Sequence, residues 1–256
     1  MKKFYVFTLA GFILAAASAC SNTSSISGLL SSGFSSDPSS PMTADTIKIS
    51  KVAALRAQRG LKVVYLQSEE NIAIIDAPAD LIDKINITDK ENTLSVTTSE
   101  QIRSGIDKIT VTVKSPAVHD FSSSSGAMLF IEKPYKSPSD ELSLKASSGA
   151  MLNGISLQAG IIGVESSSGA SIRIETSAQT LACDASSGST ITVEGTSDAA
   201  AFEVSSGASI IADRLKAETG ETHASSGGSI TCCVNSMSQT KSSSGGSIHN
   251  IKQDFQ

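Results

Sequence analysis

Tryptophan is missing from this chain, and aromatic residues make up only 4% of it. A round core built from large side chains is thereby excluded, whereas a thin stacked core of Ile, Val, Leu, Ala and Ser remains feasible. Basic runs are missing too: 20 Lys and Arg face 25 Asp and Glu, a net charge of −5. Without Lys2 and Lys3 near the N-terminus, 18 basic residues remain and the charge becomes −7. An acidic chain of this kind offers phosphate backbones nothing to hold, which excludes nucleic acid as a partner. Cysteine is scarce. Beyond Cys20 there are Cys183, Cys232 and Cys233, an odd set that cannot all pair within the chain and that contains no C-x-x-C. The histidines, His119, His223 and His249, fall in different segments. No Gly-x-Ser-x-Gly elbow accompanies them, so nucleophilic catalysis has no recognisable constellation.

What the chain does have is Ser-Ser-Gly, seven times in its last 135 residues. The glycines are Gly126, Gly149, Gly169, Gly188, Gly207, Gly227 and Gly245, separated by 23, 20, 19, 19, 20 and 18 residues. A period near twenty predicts an architecture of stacked coils, one per repeat. Alignment on the glycines gives columns. Three residues after them stand Leu129, Leu152, Ile172, Ile191, Ile210, Ile230 and Ile248. Five before stand Phe121, Leu144, Val164, Cys183, Phe202, Thr222 and Thr240. Odd offsets are thus apolar or small and even offsets mostly polar, the parity of extended segments with one face inward. Ser-Ser-Gly becomes a tight corner in which glycine accepts positive φ. In this register Cys183 and Cys232 point inward and Cys233 outward.

The N-terminus carries a second signal. Lys2 and Lys3 precede an apolar run from Phe4 to Ala17, then Ser18-Ala19-Cys20. The run is too short to span a membrane and reads as an export leader over 1–19. Ala17-Ser18-Ala19-Cys20 resembles a lipoprotein box, which makes Cys20 the acylated first residue of the mature chain and the membrane its partner. Ser21 and the absence of an acidic cluster after Cys20 favour the periplasmic face of the outer membrane over the cell surface. Residues 20–45, rich in Ser with Gly and Pro, are expected to form a flexible tether. Residues 46–118 alternate in short strand-like stretches such as Leu61/Val63/Tyr65 and Ile109/Val111/Val113, with a short helix expected over Pro78–Ile85. They predict a less regular β cap before the coils of 119–256.

These columns, after a β-rich lead ending in Val111-Thr112-Val113-Lys114-Ser115-Pro116, resemble the head GIN domain family, described as autotransporter-adhesin heads and common in lipoproteins of Gram-negative gut bacteria. The correspondence runs from Ser124-Ser125-Gly126-Ala127 through its six successors and covers about Thr46 to Ile251. The resemblance implies a right-handed single-stranded β-helix, all-β, and brings no catalytic residues.

Two outward columns are acidic: Glu165, Asp184 and Glu203 four before the glycine, and Glu175, Glu194 and Asp213 six after it. Like charges directly opposite on neighbouring strands repel, and a weakly bound calcium ion stapling adjacent coils would relieve that. A solvated acidic face, screened by Arg173, Arg214 or Lys216, is the simpler expectation. The function expected is a non-enzymatic, lipid-anchored envelope adhesin or binding scaffold without a required cofactor, with a glycan, matrix or envelope protein as partner. The alternative, a polysaccharide-acting β-helix enzyme, lacks the aromatic residues and long loops such sites use.

Overall fold

The computed structural model describes residues 33–251; the leader, Cys20 and the first part of the tether lie outside the described residues. Within them each Ser-Ser-Gly step is a four-residue turn. In Ser124-Ser125-Gly126-Ala127 the central residues take φ of 53° and 74°. Ala127 N–H donates to the Ser124 carbonyl at 3.2 Å. Two consecutive left-handed residues closed by this hydrogen bond define a type I′ turn. All seven corners repeat it, with serine φ between 48° and 53° and glycine φ between 69° and 78°. The second serine therefore shares the strain expected of glycine alone, at a cost of roughly 1–2 kcal/mol for a residue with a Cβ. A Cβ on Gly126, Gly149, Gly169, Gly188, Gly207 or Gly227 would meet nothing within 4 Å, so backbone conformation, and not room, selects glycine there.

The corners are stitched to one another. Gly126 N–H donates to the Ser148 carbonyl of the next coil at 3.1 Å, and the same bond recurs from Gly149, Gly169, Gly188, Gly207 and Gly227. Strands on both sides continue the ladder in parallel register, Leu152 opposite Ile172 and Val164 opposite Cys183. The parity expected from the sequence holds through the middle coils: Leu129, Leu152, Ile172, Ile191 and Ile210 are wholly buried, and with Leu144, Val164, Cys183, Phe202 and Val204 they belong to one continuous core. Each such side chain contributes about 1.5–3 kcal/mol by leaving water. The fold is all-β, a β-solenoid; among the described residues the only helical turns are Ile82–Lys84 and Ile106–Lys108, both 3-10.

One corner escaped the motif. Gln58-Arg59-Gly60-Leu61 takes the same turn, with φ of 57° and 73°, and Gly60 N–H donates to the Ser125 carbonyl at 3.0 Å. Its strands, Ala54–Ala57 and Lys62–Gln67, pair on one side with Asp120–Ser123 and Met128–Ile131. On the other side they pair with Thr93–Thr98 and Thr110–Ser115. The chain thus lays down this coil first, passes beneath it, and returns above it to begin the serine corners. Antiparallel strands close the lower end: Ile72–Pro78 against Thr110–Ser115, and Ile85–Lys90 against Thr93–Thr98. The helix expected over Pro78–Ile85 shrinks to the Ile82–Lys84 turn, because Ile72–Pro78 and Ile85–Lys90 are both drawn into sheet.

The tether also ends sooner than its composition indicates. Met42–Lys48 is a strand paired with Ile72–Pro78, and Phe34–Ser35 pairs with Ile102–Ser104. Between them the serines serve as local hydrogen-bonding groups. Ser39 donates to Asp37 Oδ1 from its N–H at 2.9 Å and its hydroxyl at 2.7 Å. Asp37 N–H and the Ser36 hydroxyl donate to the two Asp80 carboxylate oxygens at 2.8 and 3.0 Å. These bonds, led by the Ser39 and Asp37 N–H groups respectively, hold the Asp37 and Asp80 carboxyls below the usual carboxylate range.

Three of the aromatics meet at the junction of cap and coils. Tyr65, Phe121 and Tyr135 meet edge to face, with centroids 4.9, 5.7 and 6.1 Å apart. Both phenols find carbonyls, Tyr65 on Ser115 at 2.6 Å and Tyr135 on Val118 at 2.8 Å. Burial pushes both phenols above their usual range.

Candidate functional site

Outward-facing columns become straight rows wherever the parallel register is unbroken. The first acidic row is intact: Glu165 stands opposite Asp184, and Asp184 opposite Glu203. Each end has a basic side chain beside it. Lys145 Nζ lies 3.1 Å from Glu165, and His223 Nδ1 3.6 Å from Glu203. Among the described residues Asp184 in the middle has no such partner; partial burial, then Glu203 and Glu165, raise its carboxyl above the ordinary value.

The second acidic row does not form. Glu175 faces Glu194, but Glu194 faces Arg214, because a bulge between Ile211 and Arg214 carries Asp213 out of register. The spacing of 20 residues between Gly207 and Gly227 signalled one extra residue without saying where it sits. Arg173 reaches Glu194 at 2.8 Å and Arg214 at 3.7 Å, so cations already bracket this carboxylate. Among the described residues no three His, Cys, Asp or Glu side chains converge closely enough to hold a metal ion.

Cys233 departs from its expected outward direction and is buried, as are Cys183 and Cys232; all three are free thiols. The 18-residue coil leaves out residues at this point, where Ala212 pairs with Cys232 but Ala217 already with Val234. The shortened bend turns Cys232, Cys233 and Val234 inward together. Asn250 seals it, its side chain accepting from Val234 N–H at 2.9 Å and donating to the Val234 carbonyl at 3.0 Å. Burial pushes the Cys232 thiol up to about 11 and that of Cys183 higher still. Such thiols act as small apolar side chains, poor nucleophiles at neutral pH. The histidines stay apart: His119 bonds the Ala117 carbonyl beside a small depression of about 290 Å³, His223 ends the acidic row, and His249 is exposed near the last corner.

A larger concavity lies where the coil segments from Lys136 to Glu218 stack side by side. This shallow groove of about 550 Å³ is lined by polar side chains from five successive coil segments. Its axis is one register row: Lys136 opposite Gln158, then Ser177, Thr196 and Lys216. Asp140, Gln179, Asp198 and Glu218 border the row, and Ala159, Ala178 and Gly160 keep it low. Gly160 lets Asp140 sit close: a Cβ there would meet Asp140 Oδ2 at 2.3 Å, while Gly160 N–H donates to Asp140 Oδ1 at 2.8 Å. No motif pointed to this groove. The signal available was the row of short polar residues Gln158, Ser177 and Thr196, visible only once coil lengths were reconciled.

Comparison with known proteins agrees with this architecture. A crystal structure described as "Putative lipid binding protein" from Parabacteroides distasonis superposes with a TM-score of 0.73 at 17% identity, covering 86% of this chain and 100% of that one. A "putative adhesin" from Parabacteroides merdae gives 0.73 at 17% identity, covering 86% and 99%. Another from Bacteroides fragilis gives 0.59 at 21% identity, covering 86% and 100%. At these identities the likeness concerns the fold. No curated relative matches the chain. The family described as "Putative auto-transporter adhesin, head GIN domain" matches residues 53–253, most of the chain. With its glycine-cornered coils matched nearly end to end, this chain belongs to the head GIN domain family of adhesin-like proteins.

Proposed function

We propose that the chain is a non-enzymatic cell-envelope lipoprotein that presents a stiff stack of coils to a binding partner. The leader is removed and Cys20 carries the lipid on the outer membrane, with the periplasmic leaflet favoured over the cell surface. The partner is a glycan, matrix component or another envelope protein. The observation that carries this reading is the division of labour along each coil: odd offsets fill the core while even offsets form outward rows of unlike chemistry. Short coils without long loops support presentation of a surface over enclosure of a reacting centre.

Cys20→Ala is expected to abolish incorporation of labelled palmitate and to move the protein from the membrane to the soluble fraction; membrane retention would contradict the anchor. Protease added to intact cells should leave the protein whole and degrade it only after the outer membrane is opened. Degradation in intact cells would place it on the surface instead. Release of products from polysaccharides by the purified protein would overturn the non-enzymatic reading.

A further inference from the structure

We propose that the groove along Lys136, Gln158, Ser177, Thr196 and Lys216 binds an extended, uncharged, hydroxyl-rich chain, an oligosaccharide lying along the stacking axis. The proposal rests on the scaffold reading and assigns it a site and a ligand class.

Length comes first. Five register-paired positions at the strand spacing of about 4.8 Å make a row of about 19 Å, long enough for a chain of several sugar units. The chemistry of the lining narrows the occupant. Gln158, Gln179 and Asp198 make no side-chain hydrogen bond to other described residues, leaving amide donors, amide acceptors and a carboxylate free at the surface. Thr196 donates only a long bond of 3.5 Å to Ser177, so both hydroxyls remain open to an outside partner. Sugar hydroxyls, each both donor and acceptor, match such a mixed set.

Other occupants fit less well. Three carboxylates, Asp140, Asp198 and Glu218, outnumber Lys136 and Lys216, which disfavours a polyanion. The apolar lining amounts to Ala159 and Ala178, too little to hold an acyl chain. An extended peptide would need unpaired backbone, yet the strands here already pair on both sides, Gln158 with Lys136 and Ser177, Thr196 with Ser177 and Lys216. The row carries no aromatic side chain for stacking, so affinity depends on several side-chain hydrogen bonds acting together and should be modest for a single sugar unit.

The test is calorimetric titration of the purified full chain with neutral linear hexasaccharides of the glucan, mannan and xylan types. A chondroitin sulfate oligosaccharide, polylysine and phosphatidylglycerol vesicles serve as the polyanion, polycation and lipid probes. At least one neutral hexasaccharide should bind, and binding should weaken at least about tenfold in Gln158→Ala/Asp198→Ala, as expected when two hydrogen-bonding side chains are removed from the contact. Thr196→Lys, which fills the row with a long side chain, should abolish it. Glu175→Gln, on another row, should leave it unchanged, and matching melting curves would confirm that each variant folds. Absence of binding to every neutral probe, retention in both groove variants, or preference for the polyanion, polycation or vesicles would overturn the assignment. Capture of the wild type and both groove variants alike by isolated cell envelopes would preserve the scaffold reading while removing this groove from it. Capture of none would remove both.

Discussion

The two ends of the stack are built by opposite means. At the lower end antiparallel strands fold across the first coils, and Tyr65, Phe121 and Tyr135 fill the space between cap and coils. At the upper end the inward columns turn polar: Thr240 and Ser242 occupy positions that Phe202 and Val204 hold two coils earlier, and both are exposed. Ile248 is only partly buried, and the Asn250 side chain bonds both backbone groups of Val234 in the coil below. In a stack whose coils touch only their neighbours, stability is the sum of local terms. The lower end is therefore anchored by apolar burial, whereas the last described coil carries polar side chains in its inward columns.

This contrast can be broken by substitution. Phe121→Ala, which empties the aromatic junction, should cost about 3–5 kcal/mol in denaturant unfolding. Ile248→Ala at the upper end removes a half-exposed side chain and should cost at most about 1 kcal/mol. Equal losses would show that the ends do not differ as described.

The corners offer an intermediate effect. Gly207→Val places a β-branched residue at φ of 69° and should destabilise by more than about 1 kcal/mol, through strain and not collision. Ser206→Asn creates the Asn-Gly pair that type I′ turns favour and should be neutral or slightly stabilising. A loss from Ser206→Asn as large as that from Gly207→Val would contradict the turn assignment.

Smaller effects should follow from charge. The raised carboxyl of Asp184 means the folded state holds its proton more tightly than the unfolded chain does. Its ionisation therefore opposes folding above the folded-state titration, and the penalty fades as pH falls toward the ordinary carboxylate range. Asp184→Asn should raise stability at neutral pH by a few tenths of a kcal/mol, with the gain disappearing in acid. Asp37 and Asp80 have the opposite sign: their lowered carboxyls support folding at neutral pH, and this support is lost as pH falls through their folded-state titrations. Hydrogen-exchange protection in residues 34–41, measured against the intrinsic rate, should fall in acid before that of the coils does. Alkylation of native protein should mark none of Cys183, Cys232 and Cys233 ahead of unfolding; early modification of Cys233 would restore its outward direction.

Parity was the legible part of the fold, because a one-residue slip would have turned every column inside out. The same columns also held the Gly60 corner, with Leu55 five before, Val63 three after and Tyr65 five after, though Gln58-Arg59 in place of two serines hid it from a motif search. Illegible features were those where coil lengths change. A spacing of 20 or 18 residues reports a residue gained or lost, while its position depends on which bend has room to absorb it. Asp213 left its row for that reason, and Cys233 turned inward for the same one. The groove was hidden too, since its row is assembled from five segments whose offsets from the glycine differ.

Hydrogen exchange at the corner glycines tests the stacked-coil account most directly. The N–H groups of Gly126, Gly149, Gly169, Gly188, Gly207 and Gly227 each donate to a carbonyl of the next corner, whereas among the described residues Gly245 has no corner above it. Slow exchange at the first six and fast exchange at Gly245 is the predicted result. Fast exchange at all seven would mean that the corners are not stitched together, and the solenoid as described would fall.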